Sequence, residues 1–306
     1  MRFCVALVAA WLAGATAVQA AEQSFTIAGM SVTVWSAATD TSLKRPVIIF
    51  SHGFHGCATQ SRFLMEAFVS AGYLVFAPNH RDATCKGGEA RWTGKPEAPF
   101  GRPETWDVTS YRDRADDIRR LIAAIRSDDR FRMRADLSRL GLAGHSLGGY
   151  TVLGLAGAWP DWTFRGISAV LALSPYSQPF VLHHTLTALS APVMYQGGTR
   201  DLGITPTINK SMGSYDQSTP PKYYVEFDNA GHLAWTNIVK TAHDPIVRYS
   251  VAFMNHYVKG DAADPLLTRA LPTVALFRYE SELGAGGSAP TDDTGKREAR
   301  GRLRRR

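Results

Sequence analysis

The chain has 306 residues, 45% of them hydrophobic and 20% charged, with three cysteines and a formal net charge of +7 at pH 7. Arg2 accounts for +1 of that charge and residues 284–306 for +4, which leaves +2 for residues 21–283, so composition supplies no basis for nucleic-acid binding by the body of the chain. About 260 residues without a Pro/Gly/Ser-rich linker or a solenoid-length repeat suit one large domain better than two small ones.

The N-terminus reads as a targeting segment. Arg2 precedes an apolar run over residues 3–18, and Val18-Gln19-Ala20 has the small-residue ending of a secretory signal cleaved after Ala20. No later stretch approaches the ~20 apolar residues that a membrane crossing needs, so a secreted or periplasmic protein is expected. Cys4 leaves with the signal. Cys57 and Cys85 then remain as an even pair in an oxidising compartment, and a bridge between them is expected. It would close a loop of about 28 residues, for ~3–4 kcal/mol on the chain-entropy estimate.

Residues 25–27 and Val32 with Val34, separated by Gly29, predict an opening hairpin. Residues 46–50 (PVIIF) form a continuous apolar run of the kind buried on both faces of a parallel sheet, ending in Ser51-His52-Gly53-Phe54. A helix over about 60–70 and a strand over 73–78 complete a β-α-β unit. After a loop over 79–106 containing Trp92, Phe100 and Trp106, a helix over about 108–126 sets Ile118, Leu121, Ile122 and Ile125 on one face and places Arg and Asp on the other. Further strands are expected at 167–173, 192–195 and 223–227, with an irregular stretch at 174–191 and helices near 233–240 and 244–258. The alternation specifies an α/β fold, a mostly parallel central sheet with helices on both faces, and no stretch long enough for a large cap domain. Ligands of such sheets bind beyond the carboxyl ends of the strands.

The motif with most chemical content is Gly144-His145-Ser146-Leu147-Gly148, between a buried strand and a small-residue helix. A G-x-S-x-G turn there is a nucleophile elbow, with the serine exposed above the sheet and glycines where a Cβ would collide. A serine hydroxyl needs a base, and the base needs an orienting acid. Asp201 and His232 follow the next strands in the order such elbows require, 55 and 86 residues beyond Ser146. Asp228, four residues before His232, competes for the acid role but suits turn capping better. His145 is expected to pack and hydrogen-bond, His52 and His55 to sit in the loop after residue 50, and His183 or His184 to line the cleft. Two backbone donors are needed for a developing oxyanion; the N–H groups of Leu147 and Phe54 occupy the corresponding positions.

Residues 47–56 (VIIFSHGFHG), the strand ending in YLVFAPN, GLAGHSLGGYT, Gly197–Asp201 and Gly231-His232 resemble the α/β-hydrolase superfamily over roughly residues 40–258. Within it they are similar to the dienelactone hydrolase and platelet-activating-factor acetylhydrolase group of exported bacterial esterases. The resemblance implies Ser146 as nucleophile, Asp201 as acid, His232 as base, and Phe54 and Leu147 as oxyanion donors. Ser146 in place of the cysteine of dienelactone hydrolases favours ordinary esters, and the elbow does not clearly carry cutinase-like wording. The resulting expectation is a serine esterase acting on a small or short-chain carboxylic ester without metal or organic cofactor. Polyester, cutinase-like or lipase-like hydrolysis, peptidase or acyltransferase chemistry and a non-catalytic binding role are the alternatives. Residues 284–306 read as a disordered basic tail, with weak contact to an anionic surface as an open role.

Overall fold

The apolar runs recognised in the sequence become the strands of one sheet. The structure, a computed structural model, describes residues 20–38, 44–84 and 95–288. The strands are β1 (Ala20–Ile27), β2 (Met30–Ala37), β3 (Arg45–Ser51), β4 (Leu74–Pro78), β5 (Ala135–His145), β6 (Ile167–Leu173), β7 (Val193–Gly198), β8 (Lys222–Phe227), β9 (Val274–Ser281) and β10 (Gly284–Ser288). The helices are α1 (Arg62–Ser70), α2 (Arg112–Ser127), α3 (Leu147–Leu153), α4 (Gln178–His183), α5 (Thr205–Asn209), α6 (Ser214–Gln217) and α7 (His243–Met254). The sheet order is β1-β2-β4-β3-β5-β6-β7-β8-β9-β10. Neighbours from β4 through β8 are parallel, and the two outer pairs on each side are antiparallel. This is the α/β-hydrolase arrangement that the sequence predicts.

Alternation in β3 shows how two cores are built. Val47 and Ile49 join the apolar cluster under α2 and α3, while Ile48 and Phe50 join the cluster under α1 and α7, and all four are fully buried. A strand with both faces covered must be apolar throughout, which is why the run reads as continuous. In the β1–β2 hairpin, Ala28 and Gly29 both have positive φ (49° and 79°), the twist that suits a two-residue connection.

Several elements differ from the sequence expectation. α2 starts at Arg112 rather than 108, because Asp107 accepts hydrogen bonds from the Thr109 N–H and hydroxyl at 2.8 and 2.6 Å, and Tyr111 is left-handed (φ 60°). The expected helix at 233–240 is a single turn, His232–Trp235. Short helices occupy part of 174–191. β9 extends the sheet by pairing with β8, and β10 pairs with β9, so the ordered fold passes the expected boundary at 283 and reaches Ser288. The proposed signal (1–20, except Ala20, which opens β1), Cys85, Trp92 and the rest of the basic tail (289–306) lie outside the described residues. Among those described, no helix is long and apolar enough to cross a membrane.

Candidate active site

The elbow forms where β5, near the middle of the sheet, turns into α3. Ser146 has φ 55° and ψ −116°, a strained backbone for a residue with a Cβ. The surroundings hold it there: its N–H donates to Leu173 O at 3.0 Å, and its carbonyl accepts from Tyr150 and Tyr176 N–H groups at 3.2 and 3.0 Å. The glycines of the motif answer to close backbone approach. A Cβ on Gly148 would stand 2.0 Å from Ser51 O, and one on Gly144 2.2 Å from Gly148 O.

The turns after β7 and β8 bring two more side chains to the same edge. His232 Nε2 is 3.0 Å from Ser146 Oγ, and its Nδ1 is 3.0 Å from Asp201 Oδ2. Asp201 is buried at 4% exposure. A hydroxyl, an imidazole and a carboxylate in line allow the hydroxyl to lose its proton as it attacks, while the carboxylate orients the ring. The structure thus brings Ser146, His232 and Asp201 together, whereas Asp228 bonds the Asn229 amide at 2.7 Å in the turn after β8.

Ser174 is a member of the site that sequence reasoning missed. Placed at the end of β6 with positive φ (42°), it donates to Asp201 Oδ2, and its Oγ lies 2.9 Å from His232 Nδ1. The available signal was its position directly after an apolar strand, at the sheet edge that carries Ser146 and Asp201.

His145 has the packing role expected of it. Its Nε2 is 2.9 Å from the His232 carbonyl and its Nδ1 is 3.0 Å from the Gln60 amide nitrogen, so Nε2–H donates and Nδ1 accepts. Burial, followed by the nearby His232 charge, pushes the His145 pKa down to about 3. Gln60 also accepts from the Gly53 N–H at 3.1 Å, which links the loop after β3 to the elbow.

A cavity of about 540 Å³ opens over Ser146 and His232, walled by Phe54, Thr59, Leu233, Thr236 and Ile238. Phe54 packs edge-on against Phe100 with ring centroids 5.3 Å apart, and Phe100 contacts buried Trp106 at 5.4 Å. Leu147, the first residue of α3, is fully buried beside Ser146. Cys57 lines the cavity. His183 and His184 are in the α4 turn, where His183 Nε2 lies 2.9 Å from Trp106 O. His52 is buried beneath the cavity, while His55 lies on its wall.

Comparison with known proteins points to carboxylic ester hydrolases. A family model described as PET hydrolase-like matches residues 108–267, just over half of the chain. Another, for platelet-activating factor acetylhydrolase isoform II, matches residues 10–94. Cutinase 1 of Thermobifida cellulosilytica is 32% identical over 138 residues, which is 44% of this chain and 47% of that protein. Cutinase est1 of Thermobifida alba is 33% identical over 132 residues, 42% of this chain and 40% of that protein. The matched region therefore spans less than half the length of these relatives. The bis(hydroxyethyl) terephthalate hydrolase of Streptomyces coelicolor is 26% identical over 212 residues, 67% of this chain and 63% of that protein. The matches to cutinases and to a bis(hydroxyethyl) terephthalate hydrolase each run over more than a hundred residues and fall on the cutinase-like and polyester alternative.

Proposed function

The chain belongs to the PET hydrolase-like family, and from that premise we propose that it is an exported serine hydrolase that cleaves carboxylic esters through an acyl-enzyme. The observation that carries this reading is the His232 imidazole, 3.0 Å from Ser146 Oγ on one side and 3.0 Å from Asp201 Oδ2 on the other. Ser146 attacks the ester carbonyl as His232 Nε2 takes its proton, and Asp201 stabilises the imidazolium. The N–H groups of Phe54 and Leu147 receive the tetrahedral oxyanion. His232 returns the proton to the leaving alcohol, and water repeats the sequence on the acyl-enzyme. Ser174 holds the Asp201 carboxylate toward His232.

A cavity of about 540 Å³ with Leu233 and Ile238 in its wall accommodates a small ester. The relatives named cutinase and bis(hydroxyethyl) terephthalate hydrolase favour a second substrate class, aromatic and polyester-type esters, at the same serine. Hydrolysis of p-nitrophenyl esters from acetyl to long acyl chains, run beside bis(hydroxyethyl) terephthalate with wild type and Ser146→Ala, tests both. Turnover confined to the wild type is expected, and its profile assigns the class. Equal turnover by both proteins, or none by a folded wild type, would overturn the esterase reading.

Export by removal of residues 1–20 and a Cys57–Cys85 bridge complete the proposal. The mass of the exported protein and its thiol count before and after reduction check them: an N-terminus other than Ala21, or two titratable thiols without reductant, would refute one or the other.

A further inference from the structure

Beneath the loop after β3 lies a charged cluster that the proposed reaction does not touch. Arg114 reaches it from the first turn of α2 and is fully buried. Its Nη1 donates to His52 O at 2.7 Å and its Nη2 to Gly53 O at 3.2 Å. Its Nε and Nη2 clasp Asp82 at 3.1 and 2.9 Å, and Asp82 Oδ2 accepts from the His55 N–H at 3.1 Å. His52 Nδ1 lies 2.7 Å from Gly53 O, while its Nε2 accepts from the His80 N–H at 3.0 Å. Burial and then the Arg114 charge hold the His52 and His80 pKa values below the usual histidine range. Burial alone would raise the Asp82 carboxyl, but Arg114 keeps it well below the usual carboxylate range.

This cluster bears on peptide orientation. In a trans peptide the C=O and the following N–H point in opposite directions. The Gly53 carbonyl is held by Arg114 and His52 and also accepts from the Gly56 N–H at 2.9 Å, so the Phe54 N–H of that same peptide faces the other way. Ser146 is close by: a Cβ on Gly53 would stand 3.1 Å from His145 Nδ1 and 3.4 Å from Ser146 Cβ, and Phe54 and Ser146 wall the same cavity. The neighbouring N–H groups have other acceptors: that of Gly53 bonds Gln60 and that of His55 bonds Asp82.

We propose that Arg114, clamped by Asp82, is the positioning residue that turns the Phe54 N–H toward the oxyanion. The inference rests on the oxyanion role given to Phe54 above. Removing an oxyanion donor outright lowers kcat by roughly 10²–10³-fold. Loss of its support is expected to lower kcat by about 10- to 100-fold.

A purely structural ion pair would also lower activity, so the readout must report the donor. The rates of an aryl acetate and its thionoacetate analogue, whose C=S sulfur accepts hydrogen bonds poorly, are compared in wild type, Arg114→Met, Arg114→Lys and Asp82→Asn. Arg114→Met is expected to lose kcat on the oxyester with KM within about twofold and to change little on the thionoester, with part of the loss recovered in Arg114→Lys. Equal loss on both substrates, or no loss, in variants with wild-type circular dichroism would overturn the proposal. Should Arg114→Met fail to fold, Arg114→Lys and Asp82→Asn carry the same comparison. A wild type with no oxyester preference would refute the oxyanion role of Phe54 itself, and Ser146→Ala with undiminished activity would refute the serine reading; each is distinct from failure at Arg114.

Discussion

Replacing His145 by glutamine is expected to flatten the pH dependence of folding stability between pH 6 and pH 4. In the folded protein burial, and then the charge of His232, lower the His145 pKa from 6.5 to about 3. Between those values the unfolded chain takes up a proton that the native chain does not. The stabilisation from a neutral His145 is therefore intact above about pH 6.5 and is lost as pH falls, at ~1.4 kcal/mol per pH unit for one proton. From pH 6 to pH 4 this amounts to ~2–3 kcal/mol. His52 and His80, also lowered, add slope of the same sign, and the carboxylates titrate too. Both contributions are common to the two proteins and cancel in the difference. A glutamine amide can donate to the His232 carbonyl and accept from Gln60, so the site keeps a hydrogen-bonded occupant without a titrating one. Urea unfolding followed by tryptophan fluorescence at pH 4, 5, 6 and 7 gives the two stability curves. The wild-type advantage at pH 7 is expected to shrink toward acid by that amount. Parallel curves would show that His145 protonates at an ordinary pKa and is not sealed between Gln60 and the His232 carbonyl.

Asp201→Asn should retain the fold and lose roughly 10⁴-fold in kcat, because the amide stabilises the wrong tautomer of His232; a loss below tenfold in steady-state kinetics would mean that another carboxylate serves. Gly148→Ala should abolish both the thermal transition and the activity, since its Cβ would lie 2.0 Å from the backbone oxygen of Ser51. Gly231→Ala, whose Cβ would approach nothing nearer than Arg200 at 3.9 Å, should melt within a few degrees of wild type. Deleting residues 289–306 should leave both the melting temperature and ester turnover unchanged, because a basic segment with almost no apolar residues has little to bury. Sedimentation with anionic vesicles across a salt series would then read any charge contact of that segment directly.

The parts of the site that could be read from sequence are those encoded locally. The elbow needs its glycines within two residues of Ser146, and Asp201 and His232 each follow an apolar strand, so the rule that parallel sheets gather ligands at one edge puts all three together. The sheet was legible to the same extent: β3 to β8 are short apolar runs between turns. β9 was not, because what makes it a strand is pairing with β8 some fifty residues earlier, and five of its eight residues are only partly buried. Ser174 failed for a related reason. A serine before a proline after a strand is an ordinary turn residue until a left-handed φ of 42° turns its hydroxyl toward Asp201.

Arg114 shows the limit most clearly, because half of its signal was present. It reads as part of the charged face of α2, yet 114, 118, 121 and 125 fall on one helical stripe, and the other three are buried isoleucine and leucine. A guanidinium on an apolar stripe must find acceptors, since an unpaired buried charge is not tolerated. Periodicity can therefore say that Arg114 has partners without saying which. One partner is the Asp82 carboxylate, 32 residues upstream, but the others are carbonyls of His52 and Gly53, 62 and 61 residues upstream, and backbone carbonyls have no letter in the sequence. Side chains that act on each other leave a residue pattern. A side chain that acts by turning a peptide plane leaves only its own misplaced charge.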